Sequence, residues 1–347
     1  MKRHLLFLAA LLIVNLAASA QKKFSVYAVG FYNQENLFDT CHDEGKKDYE
    51  YLPNKGWNGM KYTNKLRNMS KALADMGTDV LPNVGCAFIG LSEVENHKVL
   101  DALVDQAPLK ARNMKYVHIE GPDRRGIDCA LLYNPSLFSV KNVKLLPYVQ
   151  ELAKDSAFFT RGFLTVRGEM AGDDVAVIVC HWPSRFSGPF YRESAARQVK
   201  VIKDSLLNVN QEMKIFVMGD MNDDPVNKSM HVYLQAKPEI SQVGAGDMYN
   251  PWYNVLAKEG KGTLFYSGNW NLFDQIVITP NLLNKDAKNK DYSSLKYWKS
   301  HIFRRDYLIQ QEGQYKGAPL RTTAAGRWLN GYSDHLPVVM YLVKEKR

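Results

Sequence analysis

The feature that most limits what this chain can fold into is a succession of short, strand-length apolar runs. They lie at 24–31, 87–91, 116–119, 129–133, 163–166, 175–180, 215–218, 275–278 and 338–342, separated by turn-forming or charged residues. Helical periodicity is scarcer. Leu66, Met69, Leu73 and Met76 recur at three- and four-residue steps before Gly77, which predicts an amphipathic helix over 62–76. Further helices are predicted near 99–104 and 194–207. Strands that outnumber helices and follow one another suit two sheets packed face to face, with helices covering their outer faces. The expected fold is α/β: a four-layer α/β sandwich of two packed, mainly antiparallel β-sheets flanked by helices. The segment 284–330 is rich in Lys, Arg, Tyr and Gly and poor in periodic apolar residues. It predicts a long loop or insertion, whose basic residues form either a solvated face or one wall of a cleft for an anion.

Ahead of these runs, Lys2 and Arg3 precede an apolar stretch from Leu5 to Leu16 and then Ala18-Ser19-Ala20. That is the layout of a cleaved secretory signal over 1–20, and the stretch is short of the roughly 20 apolar residues a membrane span needs. A secreted or periplasmic protein follows, with no transmembrane segment in the mature chain. The rest, 21–347, contains no Pro/Gly/Ser-rich linker or repeat and reads as one large domain. The formal charge of +9 falls to +7 once Lys2 and Arg3 are removed, an excess that favours an anionic partner. Cys41, Cys86, Cys129 and Cys180 form no C-x-x-C pair, which argues against a structural zinc site and for no extensive disulfide framework.

Chemistry collects where the apolar runs end. The run ending at Met218 passes through Gly219 into Asp220-Met221-Asn222, where an acid and an amide one residue apart can share one side of a site. Ile89-Gly90-Leu91 leads to Ser92-Glu93, a carboxylate suited to a hard cation such as Mg²⁺, which needs only one or two protein carboxylates. Val175 to Cys180 leads to His181, with Asp274 a possible acidic partner to fix its tautomer. Asn36 closes the first run, and Asp334-His335 stands before the last. The Ser333-Asp334-His335 order invites a serine-hydrolase reading, but chain neighbours rarely form a triad and no G-x-S-x-G elbow is present.

Taken in order, Asn33-Gln34-Glu35-Asn36, Leu91-Ser92-Glu93, Arg125-Gly126-Ile127-Asp128, His181-Trp182-Pro183-Ser184-Arg185, Gly219-Asp220-Met221-Asn222-Asp223, Phe273-Asp274-Gln275 and Ser333-Asp334-His335 resemble the endonuclease/exonuclease/phosphatase superfamily of DNase I-like proteins. The resemblance covers nearly the whole mature chain. It implies a metal side of Asn36, Glu93 and Asp334, with Mg²⁺ or Mn²⁺ as cofactor. It implies Asp220 and Asn222 as the pair that orients the attacking water and the phosphate. His335 takes a general-base or phosphate-contacting role, and His181 a phosphate-contacting role with Asp274 orienting it. Arg161 falls near the phosphate, and Asp128 is a second-tier site residue. Where nuclease members pair the final His with a Glu near the Arg161 position, this chain has Gly162, which leaves the partner of His335 open.

The reaction implied is in-line attack of water on a phosphate ester, with nucleic acid the leading substrate. A phospholipid or sugar-phosphate phosphoesterase is the alternative, and a noncatalytic binding module on the same fold is a third. Retention of the acid, amide and imidazole set argues against the last. No protein partner is inferred.

Overall fold

A computed structural model of the chain describes residues 22–151 and 159–346. The expected signal segment, 1–20, lies outside the described residues. In chain order the elements are β1 (Phe24–Leu37), α1 (Gly59–Asp75), β2 (Cys86–Val94), α2 (His97–Val104), α3 (Ala107–Ala111), β3 (Lys115–His118), β4 (Asp128–Tyr133), β5 (Phe138–Leu146), β6 (Phe163–Met170) and β7 (Asp173–His181). They continue with α4 (Pro189–Val209), β8 (Lys214–Asp220), β9 (Ala236–Lys237), β10 (Met248–Tyr249), α5 (Trp252–Ala257), β11 (Leu264–Tyr266), β12 (Asn269–Asn271), β13 (Asp274–Ile278), β14 (Lys296–Ile302), β15 (Thr323–Ala324), β16 (Arg327–Trp328) and β17 (Val338–Glu345).

Two mixed sheets carry the fold. One has six strands in the order β14-β17-β1-β2-β4-β3, the other seven in the order β5-β6-β7-β8-β13-β10-β9. The pairs β1/β2, β7/β8 and β9/β10 are parallel and the other pairs in these sheets antiparallel. Period-two alternation explains the layering. In β8, Phe216 and Met218 point into the apolar layer between the sheets, whereas Ile215 and Val217 face Ala195, Ala196 and Val199 of α4. On the far side, Leu66, Met69 and Leu73 of α1 and Val99, Leu100 and Leu103 of α2 cover Ile89, Leu91, Ala130 and Leu132. The four layers expected from the sequence are thus present, as helix, sheet, sheet and helix.

Local signals set the helix ends. Asn58 and Asn96 accept hydrogen bonds from the first backbone N–H groups of α1 and α2, and the turn after α1 passes through Gly77 at φ 81°. Several strands escape the apolar pattern, and two of them, β14 and β5, are long edge strands. The segment 284–330 is not simply a loop, because Lys296–Ile302 pairs with β17 as the outermost strand of the first sheet. The strand β5, unmarked in the sequence reading, is likewise the outer strand of the second. Edge strands expose one side and tolerate charged residues there, so Lys299 and Lys144 mask an apolar alternation that is only partial. Among the described residues no helix is long and apolar enough to cross a membrane.

Candidate active site

Sheet register assembles the site. Parallel pairing sets His181 of β7 opposite Asp220 of β8, and antiparallel pairing sets Asp220 opposite Asp274 of β13. Three residues distant in sequence become one row at the strand ends. Gly219 is required beside that row, since a Cβ there would lie 2.2 Å from the Cys180 carbonyl oxygen.

The first sheet supplies the facing residues. Asn33 Nδ2 donates to Asp220 Oδ2 at 3.0 Å, and the backbone N–H of Asn36 donates to Glu93 Oε2 at 2.9 Å. Glu93 Oε1 then stands 3.8 Å from His181 Nε2. Glu35, Asn36, Glu93 and Asn222 have φ of 45°, 55°, 59° and 50°. Left-handed backbone at a non-glycine residue costs on the order of 1 kcal/mol, so the strand ends that turn toward the cavity carry backbone strain.

His335 enters from the turn before β17. Its Nδ1 is 2.7 Å from Asp274 Oδ2, while its Nε2 faces Asp220 Oδ2 at 3.8 Å. His181 Nε2 lies 3.7 Å from the same Asp220 oxygen, so one carboxylate sits between two imidazoles. Glu93, His181, Asp220, Asn222 and His335 line a cavity of ≈ 280 Å³, with Arg125 and Arg161 on its wall.

The two histidines are driven apart electrostatically. Burial, reinforced by the charges of Arg161 and Arg125, holds His181 well below the ordinary histidine value. Burial opposes protonation of His335 too, but the Asp274 and Asp220 carboxylates outweigh it and hold its pKa well above the ordinary value. Asp220 is pushed up to about 6 by burial and by repulsion from Asp274 and Glu93, against the pull of His335. A carboxylate near 6 beside a protonated imidazole offers both a proton acceptor and a donor near neutrality.

The sequence profile of the Endonuclease/Exonuclease/phosphatase family matches residues 28–344. This chain belongs to that family. Solved structures agree at the level of fold. A humanized D. rerio TDP2 superposes with a TM-score of 0.52 at 12% identity, over 91% of this chain and 98% of its own. An endonuclease/exonuclease/phosphatase family protein from Bacteroides thetaiotaomicron gives 0.54 at 14%, over 93% and 97%. The mannosyl-6-phosphatase Bt3783 of B. thetaiotaomicron VPI-5482 gives 0.54 at 14%, over 91% and 99%. No curated protein sequence matches.

Within this family member, several sequence expectations need correction. Asp274 orients His335, not His181, because the antiparallel β8/β13 pairing aims its carboxylate at the turn before β17. The buried Nδ1 of His181 has no hydrogen-bond partner among the described residues. Donor atoms also group differently from the expected metal side. Those of Glu93, His181 and Asp220 all lie within 4.8 Å of one another, whereas Asn36 meets Glu93 through its backbone and Asp334 Oδ2 accepts from Arg321 at 3.1 Å. Arg161 lines the cavity, but its guanidinium donates to the carbonyls of His181 and Trp182 and to Asp123. Asp128 is not among the cavity-lining residues; it lies 3.0 Å from His118 Nε2 and accepts from the Gly121 N–H. Asn222 does join the cavity, its N–H donating to Asp220 Oδ1 and its side chain to the Trp182 carbonyl.

Sequence reasoning missed Asn33, Glu35 and Arg321. The buried Glu35 accepts from the Thr322 N–H at 2.6 Å and from Arg321 Nε at 3.2 Å, and so ties the end of β1 to the segment that leads into Asp334. Glu35 and Asn33 lie within the Asn33–Asn36 motif, whereas Arg321 lies in 284–330, where no periodic pattern marks it.

Proposed function

We propose that this protein hydrolyses phosphate esters by direct attack of water on phosphorus, with a divalent cation as cofactor. The observation that carries the reading is the Asp274–His335–Asp220 constellation facing Glu93 across one small cavity. The donor set fits the cation, since two carboxylates and one imidazole within mutual reach suit Mg²⁺ or Mn²⁺. Glu93 would hold it as the principal ligand, with Asp220 and His181 within reach of the same position. When bound, such an ion offsets negative charge that develops on the phosphoryl oxygens.

The chain's own residues do the rest. Asp220, held by Asn33 and by the Asn222 N–H, receives the proton of the attacking water. His335, protonated and oriented by Asp274, donates from Nε2 to a phosphoryl oxygen while the P–O bond to the leaving oxygen breaks, and that oxygen takes a proton from solvent. Neutral His181 faces the cation position without adding charge of its own. No covalent enzyme intermediate is needed.

Nucleic acid is the leading substrate on the basic charge balance. A sugar phosphate is the second reading, favoured by the modest volume of the cavity, ≈ 280 Å³. We further propose that 21–347 acts as one exported catalytic unit. Hydrolysis of plasmid DNA, RNA, bis-p-nitrophenyl phosphate, sugar phosphates and sphingomyelin with Mg²⁺ or Mn²⁺ tests the proposal. Turnover abolished by EDTA and reduced roughly 10²-fold or more in Asp220→Asn is expected. Turnover indifferent to both would overturn it, and metal binding without any turnover would favour a binding module.

A further inference from the structure

We propose that Arg125 is the arginine that binds the substrate's phosphate oxygens and so determines affinity for the ester. It rests on the phosphoesterase reading above, and it moves to a neighbouring loop a role that the sequence reading placed on Arg161.

Two arginines line the cavity, and their surroundings differ. Arg161 is buried, and Nε, Nη1 and Nη2 each donate within the protein: to the His181 carbonyl at 3.2 Å, to Asp123 Oδ2 at 3.1 Å and to the Trp182 carbonyl at 2.8 Å. Those bonds hold the backbone that carries His181. Arg125 is exposed, and among the described residues its guanidinium has no hydrogen-bond or ion-pair partner. It lines the same cavity as Glu93, His181 and His335, with its donors unspent among the described residues. An unpaired planar cation in an anion-binding cavity is suited to a bidentate grip on phosphate.

The loop beneath it is built to hold that position. Arg125 N–H donates to Asp123 Oδ1 at 2.8 Å, and Gly126 N–H to the Asp123 carbonyl at 3.2 Å, with Gly126 at φ 80°. Asp123 is itself fixed by Arg161 Nη1. Lys46 Nζ donates to the Gly121 carbonyl at 3.0 Å, and Asp128 Oδ1 accepts from the Gly121 N–H at 2.9 Å. The adjacent Arg124 takes a different course, its guanidinium 5.3 Å from the centre of the Phe159 ring. A rigid loop with a single unpaired guanidinium at the cavity is preorganised for a ligand that supplies the missing acceptors.

The test uses the full chain with Mg²⁺ and the variants Arg125→Gln, Arg125→Lys and Arg161→Gln. Calorimetric binding of inorganic phosphate and the KM for the preferred ester are measured alongside Tm. Arg125→Gln is expected to weaken phosphate binding and raise KM roughly 10- to 100-fold, the scale of a charge-assisted hydrogen bond, at unchanged Tm. Arg125→Lys should lose less, and Arg161→Gln should lower Tm. Phosphate affinity within twofold of wild type in a folded Arg125→Gln overturns the proposal. Should that variant not fold, wild-type phosphate affinity in Arg125→Lys overturns it instead. Phosphate binding that depends on Arg125 in a chain that turns over no ester supports this role and counts against the phosphoesterase reading alone.

Discussion

His335 and Asp274 show how much chemistry one hydrogen bond can govern. The buried imidazole would be neutral on desolvation alone, and the 2.7 Å contact with Asp274, aided by Asp220, reverses that. Asp274→Asn should therefore lower the His335 pKa and cut turnover by roughly 10²-fold, through loss of both charge and orientation. NMR titration of the His335 ring checks it, and an unshifted imidazole would show that Asp274 does not govern its protonation. Gly219 carries a prediction of another kind. A methyl group there meets the Cys180 backbone, which cannot move without breaking the β7/β8 pairing. Gly219→Ala should cost at least about 2 kcal/mol in urea denaturation and displace Asp220.

Between elements, the contact that most clearly ties the outer strand region to the helical layer is Asp75, the last residue of α1. Its carboxylate accepts from Tyr307 Oη at 2.6 Å, Arg305 Nε at 3.1 Å and Thr78 Oγ1 at 2.6 Å. Burial opposes ionisation, but these bonds prevail and hold its pKa below the ordinary carboxylate value. The sign follows from linkage: the stabilisation is complete above the unfolded value near 3.9 and is lost as pH falls through the lower folded value. Asp75→Asn should cost about 1–2 kcal/mol at pH 7, and the gap from wild type should close in strong acid. Chemical denaturation at pH 7 and pH 2.5 measures it. A gap that persists unchanged in acid would assign the effect to packing rather than charge.

For the molecule as a whole, the question is what the cavity binds and how that feeds back on the fold. A cation held by Glu93 within reach of Asp220 and His181 binds only the native state, so saturating Mn²⁺ should raise Tm by a few degrees, at roughly 2.7 kcal/mol for a hundredfold excess over Kd. Glu93→Ala should abolish the rise, and an equal rise in that variant would place the ion elsewhere. The net charge, +9 for the full chain and +7 for 21–347, bears on substrate class. Hydrolysis of a nucleic acid should weaken steeply between about 50 and 200 mM salt as counterion release loses its advantage. Turnover of a small sugar phosphate should change far less over the same range.

The layers, most strands, the stop of α1 at Gly77 and the chemical residues at strand ends are legible in the chain itself, because alternation and glycine punctuation are local properties. Asp220, Asn222, Glu93, His181 and His335 stood out for that reason, and they do meet in one cavity. Pairing across long separations was not legible. Nothing in the neighbourhood of Asp274 says that β13 runs antiparallel to β8, and this alone gives the carboxylate to His335. Nor does a guanidinium's sequence position say whether its donors are spent, which separates Arg161 from Arg125. Local patterns set which elements form and what their ends carry. Register, edge position and the competition for hydrogen-bond donors arise only when distant segments pack, and they decide which of those residues act together.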